Sequence, residues 1–511
     1  MTTRPTFESA REFADSIPDG ITIAVTGSGG GLLEPDYVLE AIEDRFLRTG
    51  HPCDLTLVHG FGLGDRDRRG ANRFAHQGMV RRVIASHWTW SNSMIELAAE
   101  GKIEAYSLPA GVMAHVLRES GARRPGLITR TGLGTFVDPR MGGARVNDRT
   151  TEDIVTLLQL DGQEYLHYLP IHVDVAVVRG SVADADGNIS LRDEAAQLDI
   201  LALALVAEGS GGTCVAQVKS ISSTPLHNSE VKLPGVLIDT VIEAPHQWQT
   251  SMAEHLPTLA GEPPQRPELI GIPTEPARAI IARRAAREVA SGSVLNVGFG
   301  ISSSVIDALA EIDRLNDVVL AIEQGHYGGY PASGDLFGMA HGSRALLSAP
   351  DQFDVFSAGR LDMCCLGMGQ LDRHGNVNVS RLAGRVIGPG GFIDISQNAA
   401  SAVFCGTFTG RGLKVRTDDG NLHIEQEGSI RKIVPDVEEV TFSGARAAAD
   451  GKPTIYITER AVFQLTPTGI ELTEIAPGID LQREVLDLLD FTPLISEKLR
   501  TMDRDLFGST A

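Results

Sequence analysis

Runs of β-branched and aliphatic residues alternate with helical stripes along most of the 511-residue chain, the pattern of an α/β protein with largely parallel sheets. Residues 21–50 show one such unit. ITIAVTG at 21–27 reads as a buried strand, the next glycines as a turn, and Pro35 as the opening of a helix. On that helix Val38, Ile42 and Phe46 share one face, and Gly50 closes it. A second clear unit lies at 293–325. Residues 294–297 form its first strand, Gly298 and Gly300 its turn, and Ser302, Ser303 and Ser304 an N-cap region. Val305, Leu309 and Ile312 make a helical stripe, and 317–322 make a second strand with Glu323 at its carboxyl end.

The alternation breaks between about 245 and 275, where prolines concentrate and strand patterns thin out. This predicts an N-terminal domain at 1–250, a linker at 251–275 and a C-terminal domain at 276–511 that carries Glu323. Regular structure resumes with a helix from Pro276, capped by Thr274 or Glu275, carrying Ile280 and Ile281 and ended by Gly292. The halves are related. The segment from Asp174 aligns without gaps to the segment from Asp362, keeping Asp184 with Asp372 and Gly187-Asn188-Ile189 with Gly375-Asn376-Val377. Each would place an apolar strand, a polar hairpin and a return strand in the same order. D-x-x-G-N is also a common hairpin turn, but the shared spacing argues for duplication.

Lys plus Arg number 45 against 66 Asp plus Glu, a formal charge of −21, which disfavours nonspecific binding to nucleic acid or an anionic membrane. The five cysteines form no C-x-x-C pair and no paired zinc spacing, so neither a disulfide framework nor a structural metal is expected, and a reducing compartment is favoured. The N-terminal stretch lacks the apolar core of a secretory signal, and the longest apolar run, 200–207, is far short of the roughly 18 to 20 residues that span a bilayer. A soluble cytoplasmic protein is the expectation. His167 and His172, five apart on a strand, would point to opposite faces, which argues against a shared metal. Cys364 and Cys365 read as small buried residues, Trp88 and Trp90 as core or domain interface, and Arg66, Arg68 and Arg69 as a solvated basic loop.

Two chemistries compete for Glu323. An acidic residue about 20 positions beyond a glycine turn is what binds a ribose in a dinucleotide site. Here the pattern is G-x-G-x-x-S, with Ser303 where the third glycine belongs. The alternative rests on the residues beyond the glutamate: Gly325, Gly328, Gly329, Pro331, Gly334 and Gly338 come after a single carboxylate. Backbone can therefore wrap closely around that group. A nucleophilic carboxylate needs such a cradle, because amides must meet the oxyanion formed when an acyl carbonyl is attacked.

With these residues in view the chain resembles the family I coenzyme A transferases, and most closely the fused single-chain acetate or propionate enzymes. The motifs are GSGGGLLEP at 27–35, GLGTFVDPRMGG at 132–143, YLPIHVDVAVVRGSVADADGNIS from Tyr168, NVGFGI from Asn296 and E-x-G-x-x-G-G-x-P from Glu323. GPGGFIDISQNA from Gly388, FCGTFTGRGL from Phe404 and LTEIAPGIDL from Leu472 complete the set. The resemblance implies two related CoA-transferase-type α/β domains fused in one chain, with Glu323 as the nucleophile of a ping-pong transfer through a glutamyl-CoA thioester. It implies that Gly390 and Gly391, with Gly388, supply an oxyanion amide and line the CoA thiol. Asn296, Gly298, Phe299, Gly300 and Ile301 would wall the CoA site. Gly29, Gly30, Gly31, Gly132 and Gly134, with His326 and Tyr327, would form the acyl side. By itself, the glycine run at 388–391 reads as a plain turn before a strand at 392–395.

His326, Tyr327 and Tyr330 depart from the smaller or aliphatic residues of the acetate and propionate enzymes, and this leaves the acceptor acid open. The implied partners are an acyl-CoA and a small carboxylic acid, not nucleic acid or membrane. By the same resemblance coenzyme A would serve as substrate and covalent intermediate, no cofactor would be permanently bound, and the assembly would be a homodimer or homotetramer. An acyl-CoA hydrolase using the same glutamate, an NAD-binding oxidoreductase and a silent acyl-CoA-binding regulator are the other readings.

Overall fold

The computed structural model describes residues 5–264 and 271–508. The chain folds as two compact units. The first comprises Met1–Pro267, Ile322–Asp354 and Arg385–Asp394, and the second Glu268–Ala321, Val355–Gly384 and Ile395–Ala511. This differs from the simple N-terminal and C-terminal division read from the sequence, because Glu323 and the glycines at 388–391 count with the first unit. The expected linker at 251–275 lies partly outside the described residues, at 265–270. Its first residue is no spacer: Ser251 donates its N–H to the Gly30 carbonyl at 2.8 Å, so the chain there packs as part of the first unit.

The first unit is built on a parallel sheet. Its strands are β1 (Thr6–Phe7), β2 (Thr22–Val25), β3 (Leu55–His59), β4 (Val80–Ala85), β5 (Glu104–Ser107), β6 (Val175–Ala183), β7 (Thr213–Ile221) and β8 (Thr240–Glu243). They lie in the order β1-β8-β7-β6-β2-β3-β4-β5. All nine residues of β6 are buried, as expected for a central parallel strand covered on both faces. Helix α1 (Asp36–Thr49) follows β2 and ends as read, with Gly50 at φ 75° and Val38 and Ile42 in the core. Helix α2 (Ala110–Gly121) follows β5, and α3 (Ile200–Ser210) stands between β6 and β7.

The second unit repeats this plan. Strands β9 (Val294–Val297), β10 (Val319–Leu320), β11 (Met363–Gly367), β12 (Ser401–Cys405) and β13 (Thr454–Ile457) pair in parallel in the order β10-β9-β11-β12-β13, and β14 (Ala461–Thr466), β15 (Gly469–Ile475) and β16 (Leu494–Thr501) extend the sheet. The first unit contains the same order as β3-β2-β6-β7-β8. The duplicated segment makes the same bonds in each. Asp174 accepts the N–H of Thr22 at 2.8 Å, and Asp362 that of Val294 at 2.7 Å. Asp184 Oδ1 accepts the N–H groups of Asp186 and Asn188, both at 3.0 Å, while Asp372 Oδ1 accepts those of His374 and Asn376, both at 2.9 Å. Asn188 and Asn376 then accept the amides of Gly235 and Gly444, each at 2.9 Å. A chance hairpin would not carry three matching long-range and local anchors.

Several boundaries differ from the reading. The helix from Pro276 ends at Ala286, short of Gly292, and the second strand of the 293–325 unit is only β10. The strand expected at 392–395 is a helix, α4 (Phe392–Asn398). His172 lies beyond the strand Gln163–Tyr168 that holds His167. Cys364 and Cys365 are fully buried in β11, and Trp88 is core. No helix among the described residues is long and apolar enough to cross a membrane.

Candidate active site

Glu323 sits in a tight turn within the first unit. The Ile322 N–H donates to the His326 carbonyl at 2.9 Å, and the Gly325 N–H returns to the Ile322 carbonyl at 2.9 Å. Gly325 has φ 108° and lies so close to Leu347 that an added Cβ would meet the Leu347 carbonyl oxygen at 2.1 Å; only glycine fits. Two short antiparallel pairs, His326–Tyr327 with Ala345–Leu346 and Tyr330–Pro331 with Ala340–His341, brace the loop beyond it. Gln352 donates to the Ile322 carbonyl at 3.0 Å. The nucleophile candidate is thus carried on a fixed turn.

The carboxylate has two donors. Gln324 Nε2 donates to Glu323 Oε1 at 3.1 Å, and the Gly391 N–H is the second. Gln324 Nε2 also reaches Ser28 Oγ at 3.2 Å, which ties the 27–31 glycine turn to the glutamate. Burial pushes the Glu323 carboxyl up to about 7, against the opposing pull of Gln324 and Gly391. The residue still keeps partial solvent access, as a group that meets a substrate must.

The Gly391 amide is held in place by its own backbone. The Gly390 carbonyl accepts the Ala110 N–H at 2.8 Å and the Ser86 hydroxyl at 3.2 Å, and the Ile387 carbonyl accepts the Trp88 N–H at 2.9 Å. His87 packs beside Gly390 and receives a contact from Thr89 Oγ1 at 3.1 Å to Nδ1. Burial pushes its imidazole down to about 4, so it is neutral at physiological pH. Asp394, in the first turn of α4, accepts the Gly111 N–H at 3.0 Å and the Val112 N–H at 3.2 Å.

Of the other residues singled out in the sequence, Gly29, Gly30 and Gly31 lie against the Trp90 ring, the Asp335 carbonyl and the Ser251 amide, each closer than a Cβ would allow. Gly132 packs on the Tyr168 hydroxyl, and the Gly134 N–H donates to Asp138 at 3.0 Å. His326 is fully enclosed, with Nδ1 at 3.2 Å from Ser343 Oγ, and burial pushes it down to about 4. Tyr327 is half-buried beside Gln352 and pushed up to about 12 by that burial. In the second unit, Asn296 donates to the Ala321 carbonyl at 2.8 Å and the Gly298 N–H to that of Cys365 at 2.8 Å. Phe299 is 61% exposed, and Gly300 opens the short 3-10 segment Gly300–Ser304 that continues through Ile301. Ser28, His87, Trp90, Gln324 and Asp394 are site residues that the sequence reading missed. Asp394, Ser28 and Gln324 had a signal, since they lie within the motifs GPGGFIDISQNA, GSGGGLLEP and E-x-G-x-x-G-G-x-P.

A carboxylate cradled by amides, on a two-unit α/β scaffold of this order, has the architecture of an acyl-transfer site. Residues 7–244 match the family Coenzyme A transferase. The chain is 42% identical over 515 residues to caffeate CoA-transferase of Acetobacterium woodii, covering 98% of this chain and 97% of that protein. It is 40% identical over 514 residues to acetate CoA-transferase YdiF of Escherichia coli K12, covering 98% and 95%. A crystal structure of acyl-CoA transferase YdiF from Escherichia coli O157:H7, in a thioester complex with CoA, matches with a TM-score of 0.93 at 39% identity, covering 99% of this chain and 96% of that one. The chain belongs to the coenzyme A transferase family, and it is an enzyme that moves CoA between an acyl-CoA and a carboxylate. Coenzyme A is therefore its substrate, and the chain is a transferase and not a dinucleotide-dependent oxidoreductase.

Proposed function

We propose that Glu323 is the nucleophile of a ping-pong transfer and that a glutamyl-CoA thioester is its intermediate. One Glu323 oxygen attacks the thioester carbonyl; a C–O bond forms, the C–S bond breaks, and CoA leaves as thiolate from a mixed anhydride. The thiolate then attacks Glu323 Cδ; an S–C bond forms, the anhydride C–O bond breaks, and the donor acid departs as carboxylate. An acceptor carboxylate reverses both steps. Exchange of one thioester for another is nearly balanced, so no ATP is required.

The observation that carries this reading is the pair of donors on Glu323, Gln324 Nε2 and the Gly391 N–H. In the second step the oxyanion develops on the glutamyl carbonyl oxygen, where these donors already stand, so little reorganisation is needed. A carboxyl raised to about 7 is also more nucleophilic than an ordinary one while still substantially ionised at neutral pH. Gly388 and Gly390 would line the thiol beside Gly391, and Asn296, Gly298, Phe299, Gly300 and Ile301 would contact CoA, a role consistent with the exposure of Phe299. The turn Gly29–Gly31, Gly132, Gly134 and Tyr327 would bound the acyl group, with enclosed His326 supporting them.

An acetate or propionate-type short-chain acid is the proposed substrate, and a homodimer or homotetramer in the cytoplasm the proposed state. The naming of one relative as an acetate CoA-transferase supports the acid. The test is peptide mass spectrometry after incubation with acetyl-CoA or propionyl-CoA and borohydride, which reduces a glutamyl thioester to an alcohol. A mass change confined to the Glu323 peptide and absent from Glu323→Ala is expected. A change on another residue overturns the assignment, and rates with a panel of acceptor acids identify the substrate and distinguish transfer from hydrolysis.

A further inference from the structure

Helix α2 starts without a cap of its own. Its N-cap position is Pro109, which has no side-chain hydrogen bond to offer, so the first amides of a 12-residue helix need other acceptors. The segment at 390–394 supplies three. The Ala110 N–H goes to the Gly390 carbonyl, the Gly111 N–H to Asp394 Oδ2 and the Val112 N–H to Asp394 Oδ1. Asp394 is 4% exposed, and Gly111 is kept small by it: a Cβ there would meet Asp394 Oδ1 at 2.6 Å. One residue thus caps a helix 282 positions away and lies three residues from the amide that touches Glu323.

Asp394 and Glu323 repel one another, and burial with that repulsion pushes Asp394 up to about 8 while the two helix amides pull it down. Tyr168 also senses Asp394, and its hydroxyl is committed to the Thr131 carbonyl at 2.8 Å. From α2, Asp394 meets the amides of Gly111 and Val112. Resting on the Glu323 nucleophile proposed above, we propose that Asp394 is a positioning residue that aims the Gly391 amide by tying the 390–394 segment to the start of α2.

The experiment compares wild type, Asp394→Asn and Asp394→Ser, the last retaining a neutral cap should the amide variant fail to fold. Each is equilibrated with acetyl-CoA and acetate, the CoA adduct is measured by intact mass, and kcat/KM is followed against pH. Loss of the two-oxygen cap is expected to lower kcat about tenfold and to move the acid limb of kcat/KM about one pH unit higher, because a misplaced Gly391 amide no longer favours the Glu323 carboxylate. A variant with a reduced rate but an unmoved limb overturns the positioning role. Absence of any adduct in wild type is a different result, which overturns the covalent reading itself.

Discussion

Arg66 lies over Trp90, with its guanidinium carbon 4.0 Å from the ring centre, and the same guanidinium donates to Asp335 Oδ1 at 2.7 Å. Trp90 fills the space that side chains at Gly29 and Gly62 would need, and the Asp335 carbonyl fills the space beside Gly30. The glycine turn that reaches Glu323 through Ser28 is therefore walled by an aromatic ring and a strap of backbone. Arg66 and Asp335 are both about 40% exposed, so their ion pair is screened and contributes little. Arg66→Ala is expected to lower stability by less than about 1 kcal/mol, whereas Trp90→Ala, which opens a void beside two glycines, costs about 2 kcal/mol. Thermal unfolding of the two variants checks the order.

The rate should follow the ionisation of the nucleophile. As the proposed nucleophile Glu323 would attack as a carboxylate, and its carboxyl is raised to about 7, so kcat/KM is expected to be level above that pH and to fall about tenfold per unit below it. An acid limb near the ordinary carboxyl range, between about 4 and 5, would show that Glu323 is not shifted in the working enzyme.

Gln324→Ala removes one of the two donors on the carboxylate. Donors favour the charged form, so their loss raises the carboxyl further and the acid limb moves to higher pH. The plateau kcat is expected to fall by about a hundredfold, the usual cost of a lost oxyanion donor. A slower enzyme with an unmoved limb would leave Gln324 only its bond to Ser28.

Much of this organisation was legible in the sequence, because its cause is local. The α/β alternation, α1 with its Gly50 stop, β9 and the duplicated Asp-x-x-Gly-Asn turns all arise from nearby residues. The helix α4 was not legible. Phe392-Ile393-Asp394-Ile395 has the apolar content of a buried strand, and the partners that Asp394 meets in the fold, Gly111 and Val112, lie far away in the chain. The same holds for Ser28, Trp90 and Gln324, whose roles rest on distances that no spacing encodes.

Glu34 gives a stability prediction away from catalysis. It is 1% exposed, its Oε1 accepts the Gly64 N–H at 2.8 Å, and Oε2 is buried without a hydrogen-bond partner. Burial pushes it up to about 8. The folded state holds this proton where the unfolded chain has released it, so the contribution is fully present below the unfolded value of about 4.5 and is lost as pH rises through about 8. Between about pH 7 and 9 the wild type should lose about 1.4 kcal/mol that Glu34→Gln retains, read from denaturant unfolding at each pH.

The interruption of the first unit by the second sets a timetable for synthesis. The strands from Thr6 to Glu243 can pair as soon as the first half of the chain has left the ribosome, but Glu323 and the Gly391 amide arrive only with 322–354 and 385–394. A nascent chain therefore carries this sheet with an unroofed glycine turn, and with Glu323 as the proposed nucleophile the growing protein would not act on acyl-CoA until most of it has been made.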